Sequence, residues 1–417
     1  MFTSECYVFI LDLATFDVDS ASSASLSVFM RDWSSAVRRP TAYRVNKPGF
    51  FLGNLTARSV IRLTMMLMMG LFGLFVILLV SFSTNRQLCT DSCDYLPAYN
   101  ATYPLSTPVV TSDGVTFRIA IITDLDWNSK SETEKNTWFS YLRYGQLSLS
   151  HDHARVAVSW DKHEPFTITS TLAQGGRSME LSDLTVFDGV LTSVDDRTGV
   201  VYRIHDPKHV VPWVVLPDGP GNVSKGFKAE WATVKDQKLY VGGLGKEWTT
   251  ITGEFVNYYP MWIKVVTHGG YVEHVDWTQV YIKIRAAAGI KYPGYMIHES
   301  CRWSSIHRKW FFLPRRASNQ TYTEEADETR GTNYMLIADE NFDHIDVRRV
   351  GTLKNTRGFS AFQFIPGTQD SLIVALKTEE DKGTILSYIT VFDLTGKTML
   401  EETLLEGRYK YEGVEFV

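Results

Sequence analysis

The sequence predicts an all-β protein, a five-bladed β-propeller, with one transmembrane helix near the N-terminus. Short runs of β-branched and aromatic residues recur about every ten to fifteen residues, and few windows keep the 3.6-residue period of a helix. The roughly 310 residues of this β-rich region correspond to five blades of about 50 to 65 residues each. A two-sheet sandwich repeated twice is the alternative architecture.

Five apolar segments of this region each carry one side chain with an oxygen atom. Their separations are 48, 69, 61 and 52 residues, close to one blade length, so a closed ring of blades would direct them towards one axis. Three carboxylates and two hydroxyls suit Ca²⁺, which takes about six to eight oxygen ligands, better than Mg²⁺. The residues are Ser182, Glu230, Glu299, Ser360 and Glu412. Other strands also contain Ser or Glu, so unrelated polar residues at strand ends are the alternative.

Residues 63–82 form an uncharged run of 20 residues. A helix of that length spans roughly 30 Å of hydrocarbon. A cleaved secretory signal is the alternative, but the run is long for one and begins some sixty residues into the chain. Residues 1–62 hold seven Lys or Arg against five acids, and only Arg86 lies just after the run. The positive-inside rule therefore predicts type II topology.

This topology divides the chain into four parts. We expect a largely disordered cytoplasmic tail over residues 1–62, in which no hydrophobic period is sustained. The transmembrane helix over 63–82 follows, and then an extended lumenal stalk over 83–110, which contains three prolines. The propeller occupies 111–417.

Four cysteines are too few for a disulfide scaffold, and Cys6 lies on the predicted cytoplasmic side. Cys89 and Cys93 lie in the predicted stalk, where they could bridge to each other or to a second chain; the pairing of Cys301 is left open. Glycosylation sequons on the lumenal side are consistent with that compartment. They are Asn100, Asn222 and Asn319. A fourth sequon, at Asn54, would be unused in the cytoplasm.

The composition excludes several classes of function. The chain of 417 residues is 44% apolar, enough for one large core, and its net charge of −5 gives no reason to expect a nucleic-acid partner. The ten histidines show no HExxH or comparable cluster, and His298, beside Glu299, is interpreted as a packed neighbour. There is no GxSxG motif, so a covalent mechanism is unsupported.

Several long stretches closely resemble the calcium-activated nucleotidases, a family that includes soluble salivary apyrases and a vertebrate enzyme of the secretory pathway. The stretches include FRIAIITDLD, SDLTVFDGVLTSVDDRTGVVYRI, KGFKAEWATVKDQKLYVGGLGKEWTT, PGYMIHES and WFFLPRRAS. The resemblance covers the chain from about residue 100 to the C-terminus. It implies a five-bladed propeller with Ca²⁺ in the central tunnel, bound by the five residues named above. The spacing of these five residues and the resemblance are therefore not independent evidence for the calcium site.

The resemblance further implies hydrolysis of nucleoside diphosphates, with UDP and GDP favoured in the endoplasmic reticulum and Golgi. Such a reaction needs a group that orients or deprotonates the attacking water. Asp124 and Asp126 are candidates, because they end an apolar strand two residues apart and so share a face. Glu180 lies two residues from Ser182 and places another carboxylate beside that predicted ligand. The alternative is that Asp124 and Asp126 simply begin a turn.

The segment VDDRTG, between two β runs, predicts a hairpin turn with Gly199 in the left-handed conformation. Turns at one end of a propeller also line its mouth. We therefore expect Asp195, Asp196 and Arg197 to serve both the turn and the ligand site, with Asp196 the functional carboxylate.

Phosphate groups require cationic side chains, and Arg grips two oxygens together. Arg315 and Arg316 follow an apolar strand, and Lys246 follows a Gly-rich turn that allows close approach of an anion. Trp248 could stack on a nucleobase. The alternatives are solvated charges at strand ends and a core tryptophan.

Two functions remain open from the sequence. The first is a Ca²⁺-dependent nucleoside diphosphatase of the Golgi or endoplasmic reticulum membrane. It would remove the UDP left by glycosyltransferases and so support glycan and proteoglycan synthesis. The second is a lumenal Ca²⁺-binding propeller that acts as an interaction module without turnover. The stalk cysteines and the resemblance make a homodimer an expectation, while release of a soluble form by stalk cleavage is left open.

Overall fold

The computed structural model describes residues 57–93 and 98–417. The predicted tail, with Cys6 and Asn54, lies outside the described residues except for its last six positions. The chain divides into two compact units, with the division at residues 94 and 95.

The N-terminal unit contains one helix, α1 (Ala57–Cys93). Within it, the segment Ile61–Val80 is long and apolar enough to cross a membrane. Helix α1 therefore contains the whole predicted transmembrane run, residues 63–82, and continues past its end, through Cys89, into residues assigned to the stalk.

The C-terminal unit is built almost entirely of strands. They are, in chain order, β1 (Val109–Val110), β2 (Gly114–Asp124), β3 (Trp138–Ser150), β4 (Val156–Trp160), β5 (Phe166–Ser170), β6 (Leu181–Phe187), β7 (Val190–Asp195), β8 (Val200–Asp206), β9 (His209–Val215), β10 (Trp231–Lys235), β11 (Lys238–Gly242), β12 (Trp248–Thr249), β13 (Phe255–Asn257), β14 (Trp262–Thr267), β15 (Val272–Asp276), β16 (Tyr295–Ser304), β17 (Lys309–Ser318), β18 (Tyr334–Asp339), β19 (Ile345–Arg349), β20 (Arg357–Phe364), β21 (Leu372–Asp381), β22 (Thr384–Asp393), β23 (Thr398–Leu404) and β24 (Lys410–Phe416). The helices are α2 (Thr278–Ala287) and α3 (Glu324–Asp327), and 3₁₀ turns cover Asp126–Ser129 and Tyr259–Met261.

These strands form five antiparallel blades within residues 98–417, so the predicted fold class is confirmed. Blade 1 is β24-β2-β3-β4, with β1 and β5 attached at its edges. Blades 2 to 5 are β6-β7-β8-β9, β10-β11-β14-β15, β16-β17-β18-β19 and β20-β21-β22-β23, and the hairpin β12-β13 is inserted in blade 3. Because the C-terminal β24 pairs with β2, near the start of the unit, the chain closes the ring of blades on itself.

The core lies between neighbouring blades, and strand alternation builds it. In β2, Ile119 and Ile121 pack in a cluster with residues of blade 5, whereas Ala120 and Ile122 pack in a cluster with blade 2. Both faces of such a strand are therefore buried, which accounts for its nearly continuous apolar sequence. Burying one isoleucine contributes about 1.5–3 kcal/mol, so each inter-blade layer stabilises the ring.

The segment before β1 packs on the propeller, although it was predicted to be stalk. Tyr103 donates a hydrogen bond to Glu415 at 3.0 Å, and Ser106 donates one to the carbonyl of Val417 at 2.6 Å. The compact body thus begins before residue 111.

Candidate metal centre and active site

Each predicted calcium ligand belongs to a different blade. Ser182 lies in β6, Glu299 in β16, Ser360 in β20 and Glu412 in β24, and Glu230 directly precedes β10. These strands are the innermost of their blades and contact one another around the axis. All five side chains are buried. We call this set the hub ring.

A β-bulge removes four of these residues from the regular strand pairing. In β6, Leu181 and Asp183 pair with consecutive residues of β7, so the intervening Ser182 has no partner on that strand. Ser360 and Glu412 are omitted in the same way, and in β16 both Glu299 and Ser300 are left out between the paired residues His298 and Cys301. A bulge re-aims the side chain of its extra residue. The sequence therefore uses one irregularity repeatedly to place oxygen atoms at the hub.

The two hydroxyls of the hub ring are suited to bind a cation. The Oγ atom of Ser182 is buried and has no hydrogen-bond partner among the described residues. Ser360 donates its hydroxyl hydrogen to the carbonyl of Tyr411 at 2.9 Å, which leaves its oxygen lone pairs available. A buried hydroxyl without a protein partner is uncommon, and the oxygen of Ser182 is therefore free to coordinate a cation.

The carboxylates of the hub ring carry more negative charge than their neighbours neutralise. Glu299 and Glu412 both contact Nη1 of Arg315, the latter at 3.0 Å, and Glu230 lies 2.6 Å from Nζ of Lys228. Burial and the nearby charge of Glu299, acting against Lys228, together raise the pKa of Glu230 to about 7. Burial likewise raises the pKa of Glu412 well above its usual range. A divalent cation would stabilise both ionised forms, so this donor set fits Ca²⁺.

A second group of buried carboxylates lies beside the hub ring. Asp124, Glu180 and Asp196 each place one oxygen within 4.8 Å of the others, and we call them the acidic cluster. Lys410 contacts the cluster through Asp124, at 2.5 Å, and also contacts Asp126, at 3.0 Å. The structure thus brings together all four residues predicted to be catalytic.

The carboxylates of the acidic cluster have different pKa shifts. Burial, with the charges of neighbouring acids, raises the pKa of Asp124 to about 6 and that of Glu180 to about 7. Burial also acts on Asp196, but Lys228 and Arg197 outweigh it and lower the pKa of this carboxyl. Near neutral pH, the cluster therefore combines an ionised group with groups that exchange a proton.

A turn after β2, and not the alternation of side chains along the strand, places Asp126 beside Asp124 and Lys410. Strand β2 ends at Asp124, and Asp126 begins a 3₁₀ turn with a left-handed φ of 49°. Its backbone N–H donates to Oδ1 of Asp124 at 2.8 Å. The two carboxylates meet at Lys410 because the chain turns. The predicted turn is therefore present, and the catalytic role of the pair stays a prediction.

Two lysines join the hub ring to the acidic cluster. Lys228 contacts both Glu230 and Asp196, and Lys410 lies 3.6 Å from Glu412 while it contacts Asp124. The same cations therefore balance charge in both groups. The hub ring and the acidic cluster are therefore adjacent.

Asp195 is placed in the turn and does not line the mouth. Its carboxylate accepts hydrogen bonds from the backbone N–H groups of Met179 and Arg197, both at 2.9 Å, and from the hydroxyl of Thr198 at 2.9 Å. Gly199 has a φ of 69°, as the hairpin interpretation required. Asp195 was predicted to serve both the turn and the ligand site. In this geometry it serves the turn alone, because its oxygens accept hydrogen bonds from local donors.

The other predicted substrate-binding residues line one cavity of about 570 Å³. They are Arg197, Lys246, Trp248, Arg315 and Arg316. Glu230 and Glu299 line the same cavity, so it opens onto the hub ring. The cavity lining combines five cationic side chains with six acidic ones, and such a mixed surface suits an anionic ligand that also binds a metal ion.

Arg315 acts in this structure as a counter-ion for carboxylates, which differs from the free phosphate clamp that was predicted. Its guanidinium contacts Glu299, Glu412 and Glu380, and its side chain is 6% exposed. Arg316 is less occupied, since its nearest acidic group is Asp327, at 3.9 Å. Of the arginine pair, Arg316 therefore has more capacity to bind an incoming anion.

Lys246 and Trp248 lie on the wall of the cavity beside Tyr322, an aromatic residue that the sequence did not predict to be in the site. Nζ of Lys246 donates to the carbonyl of Glu247 at 2.9 Å and lies 4.1 Å from the ring centroid of Tyr322. Burial lowers the pKa of Lys246 to about 8. Trp248 is half-buried and packs against Lys225. Tyr322 and Trp248 together offer aromatic surface to a planar ring.

The prediction also missed Lys228, Lys410 and Arg177. Lys228 and Lys410 precede the ligands Glu230 and Glu412 by two residues, so the period-2 rule that selected Glu180 beside Ser182 would have found them. Arg177 donates to Glu180 at 2.6 Å from a loop. No periodic signal marks Arg177 or Tyr322.

Comparison with known proteins shows the class to which this fold and site belong. The apyrase family model matches residues 125–417. The chain is 58% identical over 319 residues to soluble calcium-activated nucleotidase 1 of Rattus norvegicus, covering 76% of this chain and 78% of that protein. It is 54% identical over 302 residues to apyrase apy-1 of Caenorhabditis elegans (72% and 84%) and 46% identical over 319 residues to an apyrase of Cimex lectularius (76% and 87%). The chain therefore belongs to the apyrase family of calcium-activated nucleotidases.

Proposed function

We propose that this chain is a Ca²⁺-dependent nucleoside diphosphatase that releases phosphate from UDP and GDP in preference to ADP. The observation that carries this proposal is the adjacency of the hub ring and the acidic cluster. Glu230 and Glu299 of the ring line a cavity that also contains Arg and Lys side chains, and Lys228 of that cavity contacts both Glu230 and Asp196 of the cluster. Membership of the apyrase family supports the reaction class. The base preference rests on the resemblance of the sequence to secretory-pathway enzymes.

Positively charged side chains of the cavity would bind the phosphate oxygens. Arg197 and Lys228 lie between the acidic cluster and the cavity, and Arg316 and Lys246 lie on its wall. Their charges hold a diphosphate in one orientation and offset the charge of its oxygens. Tyr322 and Trp248 would face the nucleobase.

The hub ring would hold Ca²⁺ through its three carboxylates and two hydroxyls. When bound, this ion supplies Lewis-acid stabilisation of phosphoryl oxygens. Arg315 would remain beside Glu299 and Glu412 and offset charge that the ion leaves unbalanced.

The acidic cluster would orient the attacking water and accept its proton. Asp196 is held ionised by Lys228 and Arg197 and therefore accepts a hydrogen bond from water at neutral pH. Asp124 and Glu180, whose pKa values lie near 6 and 7, can take up the proton and return it to solvent. Lys410 keeps Asp124 in place.

A membrane-anchored location in the secretory pathway is part of the proposal. Helix α1 could serve as a type II anchor, and the asparagines of the three lumenal sequons are exposed: Asn100, Asn222 and Asn319. In the Golgi or endoplasmic reticulum the enzyme would remove nucleoside diphosphates left by glycosyltransferases and so support proteoglycan synthesis. A homodimer linked near Cys89 and Cys93, and a soluble form released by stalk cleavage, stay predictions.

Phosphate release by the full-length chain tests the proposed reaction. UDP, GDP and ADP are each assayed with Ca²⁺, with Mg²⁺ and with chelator. We expect turnover with Ca²⁺ only, fastest with UDP or GDP. Absence of turnover with every nucleotide and metal would instead favour a Ca²⁺-binding interaction module.

A further inference from the structure

Helix α2 contacts the chain segment that presents Lys246 and Trp248 to the cavity that opens onto the hub ring. We call this cavity the hub cavity. Lys246 and Trp248 line it, but Glu247, the residue between them, does not. Glu247 instead lines a separate cavity of about 560 Å³, together with Arg285 of α2. A group that fixes Glu247 therefore fixes the backbone from which Lys246 and Trp248 project.

Arg285 binds Glu247 through two hydrogen bonds, which we call the fork. Nη1 of Arg285 donates to Oε2 of Glu247 at 2.7 Å, and Nη2 donates to Oε1 at 2.8 Å. The two side chains are 4% and 6% exposed, so water competes little for either group. Burial alone would raise the pKa of Glu247, but the hydrogen bonds from Arg285 lower it below its usual value, so the carboxylate is ionised at neutral pH. A bidentate pair fixes orientation as well as distance.

The fork acts on Lys246 through the backbone of Glu247. Nζ of Lys246 donates to the carbonyl of Glu247 at 2.9 Å and to the hydroxyl of Thr249 at 3.2 Å. The ammonium group is thus held by the same residue whose side chain Arg285 binds. Arg285 itself does not line the hub cavity, so its effect on Lys246 is indirect.

Helix α2 also packs on the residue before Lys246. Gly245 has a left-handed φ of 71°, and a Cβ atom at this position would lie 2.5 Å from the ring of Tyr281. A side chain does not fit at that distance, so glycine allows the chain to pass close to the helix. Tyr281 and Arg285 are four residues apart and lie on one face of α2. That face therefore holds the chain on both sides of Lys246.

We propose that Arg285 is a positioning residue for nucleotide hydrolysis, which acts through Glu247 to place the ammonium group of Lys246 where it binds a phosphate oxygen. This inference rests on the proposed function, in which Lys246 contacts the substrate. The contact contributes to substrate binding and not to proton transfer, so loss of the fork should raise KM and leave kcat nearly unchanged. An ion pair that only stabilised the fold would change neither constant in the folded protein.

Steady-state hydrolysis of UDP by the full-length chain with Ca²⁺ tests this role. Arg285→Met alone leaves a buried carboxylate unpaired, so the variant used combines it with Glu247→Leu. Replacement of a whole buried ion pair by apolar residues is often neutral for stability, and thermal unfolding checks that the double variant is folded. We expect its KM for UDP to rise about tenfold, as for the loss of one charge-assisted hydrogen bond.

Three further variants separate positioning from damage to the fold. Arg285→Lys keeps the charge beside Glu247 but offers a point donor in place of the fork, so its KM should lie between those of wild type and the double variant. In the Lys246→Ala background the double substitution should raise KM much less, because both changes act through one ammonium group. Arg118→Met with Asp161→Leu is the matched control. It removes a bidentate pair of blade 1 that lies outside the hub cavity, so KM and kcat should match wild type.

The outcomes distinguish failure of this inference from failure of the proposed function. If Lys246→Ala leaves KM for UDP unchanged, the proposed phosphate contact is wrong and the inference fails with it. If Lys246→Ala raises KM but neither the double substitution nor Arg285→Lys does, the inference alone is overturned. Equal increases from the double substitution in the wild-type and Lys246→Ala backgrounds would also overturn it, because the fork would then act independently of Lys246.

Discussion

Asp183 of blade 2 accepts two hydrogen bonds from Arg302 of blade 4, at 2.6 and 2.8 Å, although these blades are not adjacent. Both side chains are almost fully buried. Oδ2 of Asp183 also accepts from the backbone N–H of Ala232 in blade 3. One carboxylate therefore connects three blades near the axis, directly after the predicted ligand Ser182.

Removing Arg302 should destabilise the propeller strongly. Arg302→Met leaves the charge of Asp183 buried and unpaired, and breaking such a pair costs about 3–5 kcal/mol. Urea denaturation measures this loss in the free energy of unfolding. Arg308→Met is the matched control, because Arg308 is exposed and its partner Glu340 is only half-buried. Equal losses in the two variants would contradict the role of this buried pair.

We expect Arg315 to serve as a counter-ion for carboxylates and Arg316 to contact the substrate. Arg315→Gln leaves three acids without their shared cation, so we expect a large loss of stability in chelator that added Ca²⁺ largely restores. Arg316→Gln should raise KM for UDP by about tenfold, the loss of one charge-assisted hydrogen bond of roughly 1.5 kcal/mol. Its thermal unfolding should not show a comparable rescue by Ca²⁺. If added Ca²⁺ restored the stability of both variants, the two arginines would not have different roles.

Substitution of Asp124 should impair catalysis, whereas substitution of Asp195 should impair folding stability. Asp124→Asn removes a group that exchanges a proton, so we expect kcat to fall by about 10²–10⁴-fold. Asp195→Asn weakens the hairpin turn, so it should lower the unfolding temperature and leave kcat within a few-fold. Steady-state kinetics with UDP and thermal unfolding measure both quantities. A normal kcat in Asp124→Asn would exclude that carboxylate from proton transfer.

Lys246 should give the reaction a pH dependence on the alkaline side. Burial lowers its pKa to about 8, so its cationic form is complete only below that pH and is lost as the pH rises through 8. Because the charge binds phosphate, kcat/KM should decline above pH 8. Lys246→Arg keeps its charge throughout this range and should remove the decline. An identical profile in both proteins would assign the decline to another group.

The sequence predicts the fold more completely than the site. Five blades follow from repeat length and strand alternation. The five predicted ligands do not follow from them alone, because inner strands such as β6 and β24 contain further oxygen-bearing side chains, and the family resemblance is needed to distinguish the ligands. The bulges that turn Ser182 and Glu412 out of the pairing are not visible in a pattern of period two. The partners of Arg315 come from three strands far apart in the chain, so no local pattern distinguishes this counter-ion from Arg316.

Isothermal calorimetry of CaCl₂ injected into the full-length chain tests the hub ring most directly. Wild type should bind one Ca²⁺ at the ring, and Glu230→Ala should abolish that binding together with the Ca²⁺ dependence of UDP hydrolysis. Glu273→Ala, which changes an exposed acid on the outer strand of the same blade, should bind as wild type does. An unchanged Ca²⁺ isotherm in Glu230→Ala would contradict the account.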